Sequence, residues 1–96
     1  MKQHRYRVTL EHLEDAKGNP STYDAPLQFE VGNHDDIFAV VEKVKNLSGL
    51  PADKAVPFAV GLKLFGETIL ENRDHPLFEE MGPHFMQFMK KLKGKG

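Results

Sequence analysis

Two short segments near the amino terminus alternate apolar and polar residues, and this alternation constrains the fold more than any other feature. The first covers residues 5–11 and the second residues 27–31. A period of two is typical of strands with one buried face. Between them, Gly18 and Pro20 lie in a polar stretch that predicts a turn. We therefore expect an antiparallel β-hairpin with a long loop.

Helical periodicity follows the hairpin. Apolar residues recur every three or four positions after Asn33, which is the predicted N-cap of a first helix over about 33–48. Gly49 suits the position just past the end of that helix. Because proline is best tolerated in a first helical turn, Pro57 predicts that a second helix begins near it.

The last third of the sequence predicts two more helical segments. One is short and runs over about 75–81, with Asp74 as its cap, and Gly82-Pro83 breaks it. The other carries Phe85 and Phe88 on one face. Two strands followed by helices predict an α+β fold, in which an N-terminal antiparallel β-hairpin is packed against three to four α-helices.

A chain of 96 residues is the size of one domain. We expect a single α+β domain over residues 1–93, with residues 94–96 as a frayed tail. The predicted core combines the apolar strand face with the apolar helix faces. Its members are Tyr6, Val8, Leu10, Leu27, Phe29, Val31, Ile37, Val40, Val41, Val44, Phe58, Leu62, Phe65, Ile69, Phe85 and Phe88.

The absence of cysteine excludes a disulfide framework, a thiol nucleophile and cysteine-ligated metal sites. The amino-terminal residues lead straight into the first alternating segment, so no secretory signal is visible. The longest nearly apolar run, residues 56–65, is interrupted by Lys63 and is too short to cross a bilayer. These features predict a cytoplasmic protein that makes no membrane contact.

Catalytic and metal-binding patterns are weak in this sequence. His34, Asp35 and Asp36 look like part of a metal site, but three consecutive side chains on a helix point in different directions. The same residues are explained by helix capping. Ser21 and Ser48 lack the surroundings of a nucleophilic serine. We expect no enzyme activity, no cofactor and no metal.

Charge is distributed unevenly along the chain. Residues 1–7 and 90–96 contain seven basic and no acidic residues, whereas residues 8–89 contain six basic and 14 acidic residues. The basic ends could dock on the acidic body or stay solvated. They could also bind a phosphate-bearing partner weakly. The candidate phosphate contacts are Arg5, Arg7, Lys90, Lys91 and Lys93. Because the isoelectric point is about 6.5, we do not expect nucleic acid to be the main partner.

The second helix is apolar on more than one face, which favours a partner or a central position. Val60 and Leu64 project from the side opposite the main apolar stripe. We predict that these two residues form a protein interface, with an unknown protein or with a second copy in a homodimer. In the alternative, they pack under the carboxy-terminal helices of the same chain.

Five short segments together resemble a family of small, uncharacterised bacterial proteins that is catalogued as a domain of unknown function. These segments are Ala25-Pro26-Leu27-Gln28-Phe29-Glu30, Asn33-His34-Asp35-Asp36-Ile37, the run from Phe58 to Glu67, His75-Pro76-Leu77-Phe78, and the run from Phe88 to Lys93. The resemblance implies a small stand-alone cytosolic protein, and it supplies no catalytic residues. The hypothesis with most support is therefore a non-enzymatic protein-interaction module, with weak phosphate or nucleic-acid binding as the alternative.

Overall fold

The computed structural model describes residues 2–94, which form two strands and three α-helices. The strands are β1 (His4–Leu10) and β2 (Leu27–Asn33), and the helices are α1 (Ile37–Leu47), α2 (Ala52–Glu71) and α3 (Met81–Leu92). The predicted α+β fold is confirmed. Contacts divide the chain into two compact units, a hairpin unit up to residue 34 and a helical unit from residue 35. The predicted frayed tail lies outside the described residues, apart from Gly94.

The hairpin is antiparallel, as predicted, and its register pairs His4 with Asn33 at one end and Leu10 with Leu27 at the other. Because side chains alternate across a strand, this register places Tyr6, Val8 and Leu10 on one face. The apolar residues of β2 lie opposite them on that face. No second sheet is present among the described residues, so each strand has a single strand neighbour.

Helix α1 is capped by Asp36 and not by the predicted Asn33. The Asp36 carboxylate accepts hydrogen bonds from the backbone N–H groups of Phe38 and Ala39, at 3.0 and 3.3 Å. Asn33 cannot act as the cap because it is the last residue of β2, where its backbone pairs with that of His4. The predicted stop at Gly49 is correct, since this glycine has a φ of +77°, which favours glycine.

Three predictions about the later helices are wrong. Gly82 and Pro83, which are predicted to break a helix, lie in the first turn of α3. Helix α2 begins at Ala52 and contains Pro57, because the Pro51 carbonyl accepts the first helical hydrogen bonds from Lys54 and Ala55. The predicted short helix over 75–81 is a series of turns. Its hydrogen bonds from His75 to Asn72 and from Phe78 to His75 span three residues, so no α-helical ladder forms there.

The helical unit has a small core where α1 crosses α2. Val44, Ala55 and Ala59 are buried together, and Val40, Val41, Phe58 and Leu92 pack against them. Alanines at the crossing let the two helices approach closely. The predicted core is correct at Ile37, Val44 and Ile69, which are buried. It is wrong at Leu10, Leu27, Phe29, Phe65 and Phe88, which stay exposed.

Candidate interaction surfaces

On the polar face of the hairpin, the side chains form hydrogen bonds and ion pairs with one another. Glu30 accepts hydrogen bonds from the guanidinium groups of Arg5, at 2.7 Å, and Arg7, at 3.0 Å. Beside them, the Gln28 amide donates to the Thr9 hydroxyl at 3.1 Å. The hydrogen bond from Arg7, followed by that from Arg5, lowers the pKa of Glu30 below its ordinary value. Because one carboxylate is shared by two guanidinium groups, the positive charge of this face is reduced but not cancelled.

The opposite face of the hairpin is apolar and open. Leu10 and Leu27 pair directly, and their exposed fractions are 64% and 62%. The next pair is Val8 with Phe29, and Phe29 is 41% exposed. We call the four side chains Val8, Leu10, Leu27 and Phe29 the hairpin face. Cross-strand pairs of this kind stabilise a sheet, but a lone two-stranded hairpin is marginal in water.

The loop after β1 contains a contact that the sequence analysis missed. The Ser21 hydroxyl lies 2.6 Å from Nδ1 of His12, and the Tyr23 ring packs edge-on against the His12 ring. The one sequence signal for this contact is the predicted turn at residues 14–20, which would bring the two ends of the loop together. A serine beside a histidine is the first part of a nucleophilic site. Within residues 2–94 His12 has no acidic partner to orient its ring, and its contact with Ser21 joins the two ends of the loop.

Asp15 shapes the tip of the same loop. One of its carboxylate oxygens accepts from the backbone N–H groups of Lys17 and Asn19, both at 2.9 Å. The hydrogen bond from the Asn19 backbone is the largest cause that lowers the pKa of Asp15. This Asx-type turn is a structural feature, since its oxygens are already occupied by the chain itself.

The five candidate phosphate contacts fall in both units. Arg5 and Arg7 share Glu30 in the hairpin unit. In the helical unit, Lys90 and Lys91 lie in the last turn of α3 and Lys93 is its C-cap. Lysines at this end are favoured by the negative end of the helix dipole. All three lysines are exposed, and within residues 2–94 none of them has an ion-pair partner.

Val60 and Leu64 are half-buried on α2, and their role as an interface stays a prediction. Between them in sequence, Lys63 makes a salt bridge with Asp35. The sequence suggested Asp35 and Asp36 as fragments of a metal site, but Asp35 pairs with Lys63 and Asp36 caps α1. Among residues 2–94, no group of three or more histidine or acidic side chains could hold a metal ion.

Two apolar cavities lie between α2 and α3, on either side of Phe85. One, of about 380 Å³, is lined mainly by apolar side chains that include Ile69, Phe78 and Met86. The other, of about 330 Å³, is lined by Leu62, Phe65, Met81, His84, Phe85 and Phe88. We call the second cavity the α2–α3 groove. Its aromatic wall is the edge-on contact of Phe65 with Phe85, whose ring centroids are 5.9 Å apart.

Gly66 makes this wall possible. The Phe85 ring lies so close to Gly66 that an added Cβ would be 2.8 Å from its Cζ atom. A small residue at this position therefore lets α3 pack against α2 through an aromatic ring. None of the helices in the described part of the chain combines the length and apolar character that crossing a membrane requires.

These features define a small α+β protein with apolar surfaces on a hairpin and on a helix pair. The family model of DUF3861, a domain of unknown function with a solved structure, matches residues 4–94. The chain belongs to this family, which confirms the resemblance noted from its sequence. A crystal structure of a protein of unknown function from Pectobacterium atrosepticum SCRI1043 is similar to it. The two share 35% identity with a TM-score of 0.81, and the match covers 97% of this chain and 99% of that one. Comparison with curated proteins gives no match.

Proposed function

We propose that this chain is a non-enzymatic protein-interaction module that binds another protein through the hairpin face. The observation that carries the proposal is the exposure of Leu10 and Leu27, which are paired in register yet each more than 60% exposed. Contiguous exposed apolar surface of this kind is typical of protein contact sites. A partner that covers this face would also supply the packing that a lone two-stranded sheet needs for stability.

The difference between the two hairpin faces supports this choice. On the polar face, Glu30 already pairs with Arg5 and Arg7, so a partner would have to break these bonds or leave them exposed. The hairpin face carries no formal charge, so a partner can cover it without desolvating an ion. The favourable free energy of binding is then roughly proportional to the apolar area that is removed from water.

The alternative, phosphate or nucleic-acid binding, draws less support from the geometry. Arg5 and Arg7 share one carboxylate, which reduces the positive charge that β1 can present to a phosphate. The lysines of α3 remain accessible, and binding through them would weaken steeply with salt. Our proposal places the protein and its partner in the cytoplasm, where the family resemblance leads us to expect them.

Site-specific photo-crosslinking in cells tests the proposed face. A crosslinking residue replaces Leu27 on the hairpin face, and a matched variant carries it at Gln28, which lies next to Leu27 on the polar face. We expect a discrete protein adduct from position 27 and a much weaker one from position 28. Leu10→Ser should abolish the adduct without unfolding the chain, because Leu10 is largely exposed.

Equal adducts from both positions, or an adduct that survives Leu10→Ser, would contradict docking on the hairpin face. Recovery of nucleic acid that is lost at moderate salt would favour the alternative instead.

A further inference from the structure

Helix α3 has an apolar face that its own chain covers incompletely. None of its residues is fully buried. Met81 and Phe88, seven residues apart and therefore on one side of the helix, are 40% and 44% exposed. Phe88 touches Phe58 of α2 only edge-on, with ring centroids 6.1 Å apart. The exposed side of Phe88 opens into the α2–α3 groove.

The groove itself is strongly apolar. Five of its six lining side chains are aliphatic or aromatic, and His84 is the sixth. Phe65, which supplies the α2 side of the groove, is 45% exposed. Together, Phe65, Met81 and Phe88 form an open apolar strip along the helix pair.

Opposite charges stand at the two ends of this strip. Glu80 is the N-cap of α3 and Lys91 lies in its last turn. Glu80, His84 and Lys91 are spaced at four and seven residues, so they follow one stripe of the helix beside Phe88. Within residues 2–94 the side chains of Glu80 and Lys91 make no hydrogen bond and no ion pair.

The ends of the helix extend this charge separation. The ten residues 71–80 before α3 contain four acidic side chains and one basic side chain. The last turn and C-cap of α3 contain Lys90, Lys91 and Lys93 and no acidic side chain. Helix α3 therefore has acidic residues at one end and basic residues at the other, and Glu80 and Lys91 are the members of these two groups that lie beside the apolar strip.

We propose that the occupant of this strip is a second copy of the chain, packed with its α3 antiparallel to the first. An antiparallel pair places the apolar middles together and sets the acidic end of each helix against the basic end of the other. Glu80 and Lys91 are eleven residues apart, about 16 Å along a helix. Each Glu80 then lies opposite the partner's Lys91, and the arrangement has the two-fold symmetry of an isologous dimer.

A second copy fits better than an unrelated helix because the strip is complementary to itself. Two-fold rotation exchanges its acidic and basic ends, so Glu80 of each copy faces Lys91 of the other. Antiparallel alignment also opposes the two helix dipoles favourably. The proposal concerns the helical unit and does not depend on the hairpin face, so either surface can fail its test while the other stands.

Charge reversal tests this arrangement on the full chain. We expect the purified protein to be a dimer by sedimentation equilibrium at low salt. Glu80→Lys and Lys91→Glu should each raise the dissociation constant about tenfold, because two contacts per dimer change from attraction to repulsion. The double variant, Glu80→Lys with Lys91→Glu, restores opposite charges across the interface and should return the constant close to that of the wild type.

Lys90→Glu is the matched control. Lys90 makes the same change of charge in the same helical turn, but it lies two residues after Phe88, on the other side of α3. It should leave the dissociation constant within about twofold of the wild type, because it lies outside the proposed contact. Circular dichroism checks that each variant keeps its helices.

Three results would overturn the proposal. One is a wild-type protein that stays monomeric at every concentration. The second is an equal effect of Lys90→Glu and Lys91→Glu. The third is a double variant that associates no better than the single variants.

Discussion

The hairpin unit and the helical unit bury different kinds of residue. All five buried apolar residues of the described chain belong to the helical unit: Ile37, Val44, Ala55, Ala59 and Ile69. In the hairpin unit, the one buried residue among 2–34 is Asn33, which is polar. The helical unit therefore contains an apolar core of its own, whereas the contacts within the hairpin unit are strand pairing and cross-strand contacts.

This difference shows how a small chain can combine stability with an open surface. The crossing of α1 and α2 uses alanines, so a few side chains are completely enclosed. The hairpin uses large residues such as Leu10 and Phe29, and it leaves them in contact with water. We therefore expect stability to be concentrated in the helical unit, which would let the hairpin present an apolar face without a large loss of stability.

The largest effect should separate the two units directly. Ile69→Ala removes a buried side chain of α2 and should lower the free energy of unfolding by about 2–5 kcal/mol. Leu27→Ala in the hairpin should cost less than about 1 kcal/mol, because the side chain is already mostly exposed. Urea denaturation of both variants measures the difference. Equal losses would mean that the hairpin is as firmly packed as the helices.

Two glycines of α2 test how tightly the helical unit is packed. Gly61 and Gly66 both lie in α2, but an added Cβ would meet no atom within 4 Å at Gly61. Gly61→Ala should therefore stabilise the protein by about 1 kcal/mol through helix propensity. Gly66→Ala should be less stable than Gly61→Ala by at least about 1 kcal/mol, because the Phe85 ring must move. Thermal unfolding ranks the two variants, and equal stabilities would show that Phe85 moves without cost.

The smallest effect lies on the polar face of the hairpin. The Arg7 and Arg5 hydrogen bonds lower the pKa of Glu30, so this group stabilises the hairpin above the ordinary glutamate pKa. That contribution is lost as the pH falls through the lowered folded value. Titration of the Glu30 carboxyl by NMR should show a midpoint below about 4.3. Glu30→Gln should remove this part of the acid dependence, and an ordinary midpoint would mean that the ion pairs do not form in solution.

Local features were predictable because neighbouring residues determine them. The alternation around Val8 and Phe29 predicted both strands and their apolar face, and the stop at Gly49 followed from the backbone freedom of glycine. The errors arose where a distant pairing decides a local choice. Asn33 has the chemistry of a helix cap, but its pairing with His4 makes it part of β2 and leaves the cap to Asp36.

The candidate interaction surfaces show the same contrast between what local spacing predicts and what distant contacts decide. Helical spacing predicts an interface at Val60 and Leu64, and the structure leaves both residues half-buried. Periodicity can state which residues share a face, but it cannot state how much of that face the rest of the chain covers. Phe65 shows this limit, because its spacing predicts a core position whereas the neighbouring helix leaves it 45% exposed.

The amino-acid pattern alone predicts two strands followed by helices, the apolar face of each strand and the separation of charge along the chain. These follow from side-chain chemistry and from the periods of two and 3.6 residues. Only the folded chain shows that Arg5 and Arg7 share Glu30, and that Leu10 and Leu27 are largely exposed. The physical reason is that strand register and solvent exposure depend on residues far apart in the chain, and no local pattern encodes them.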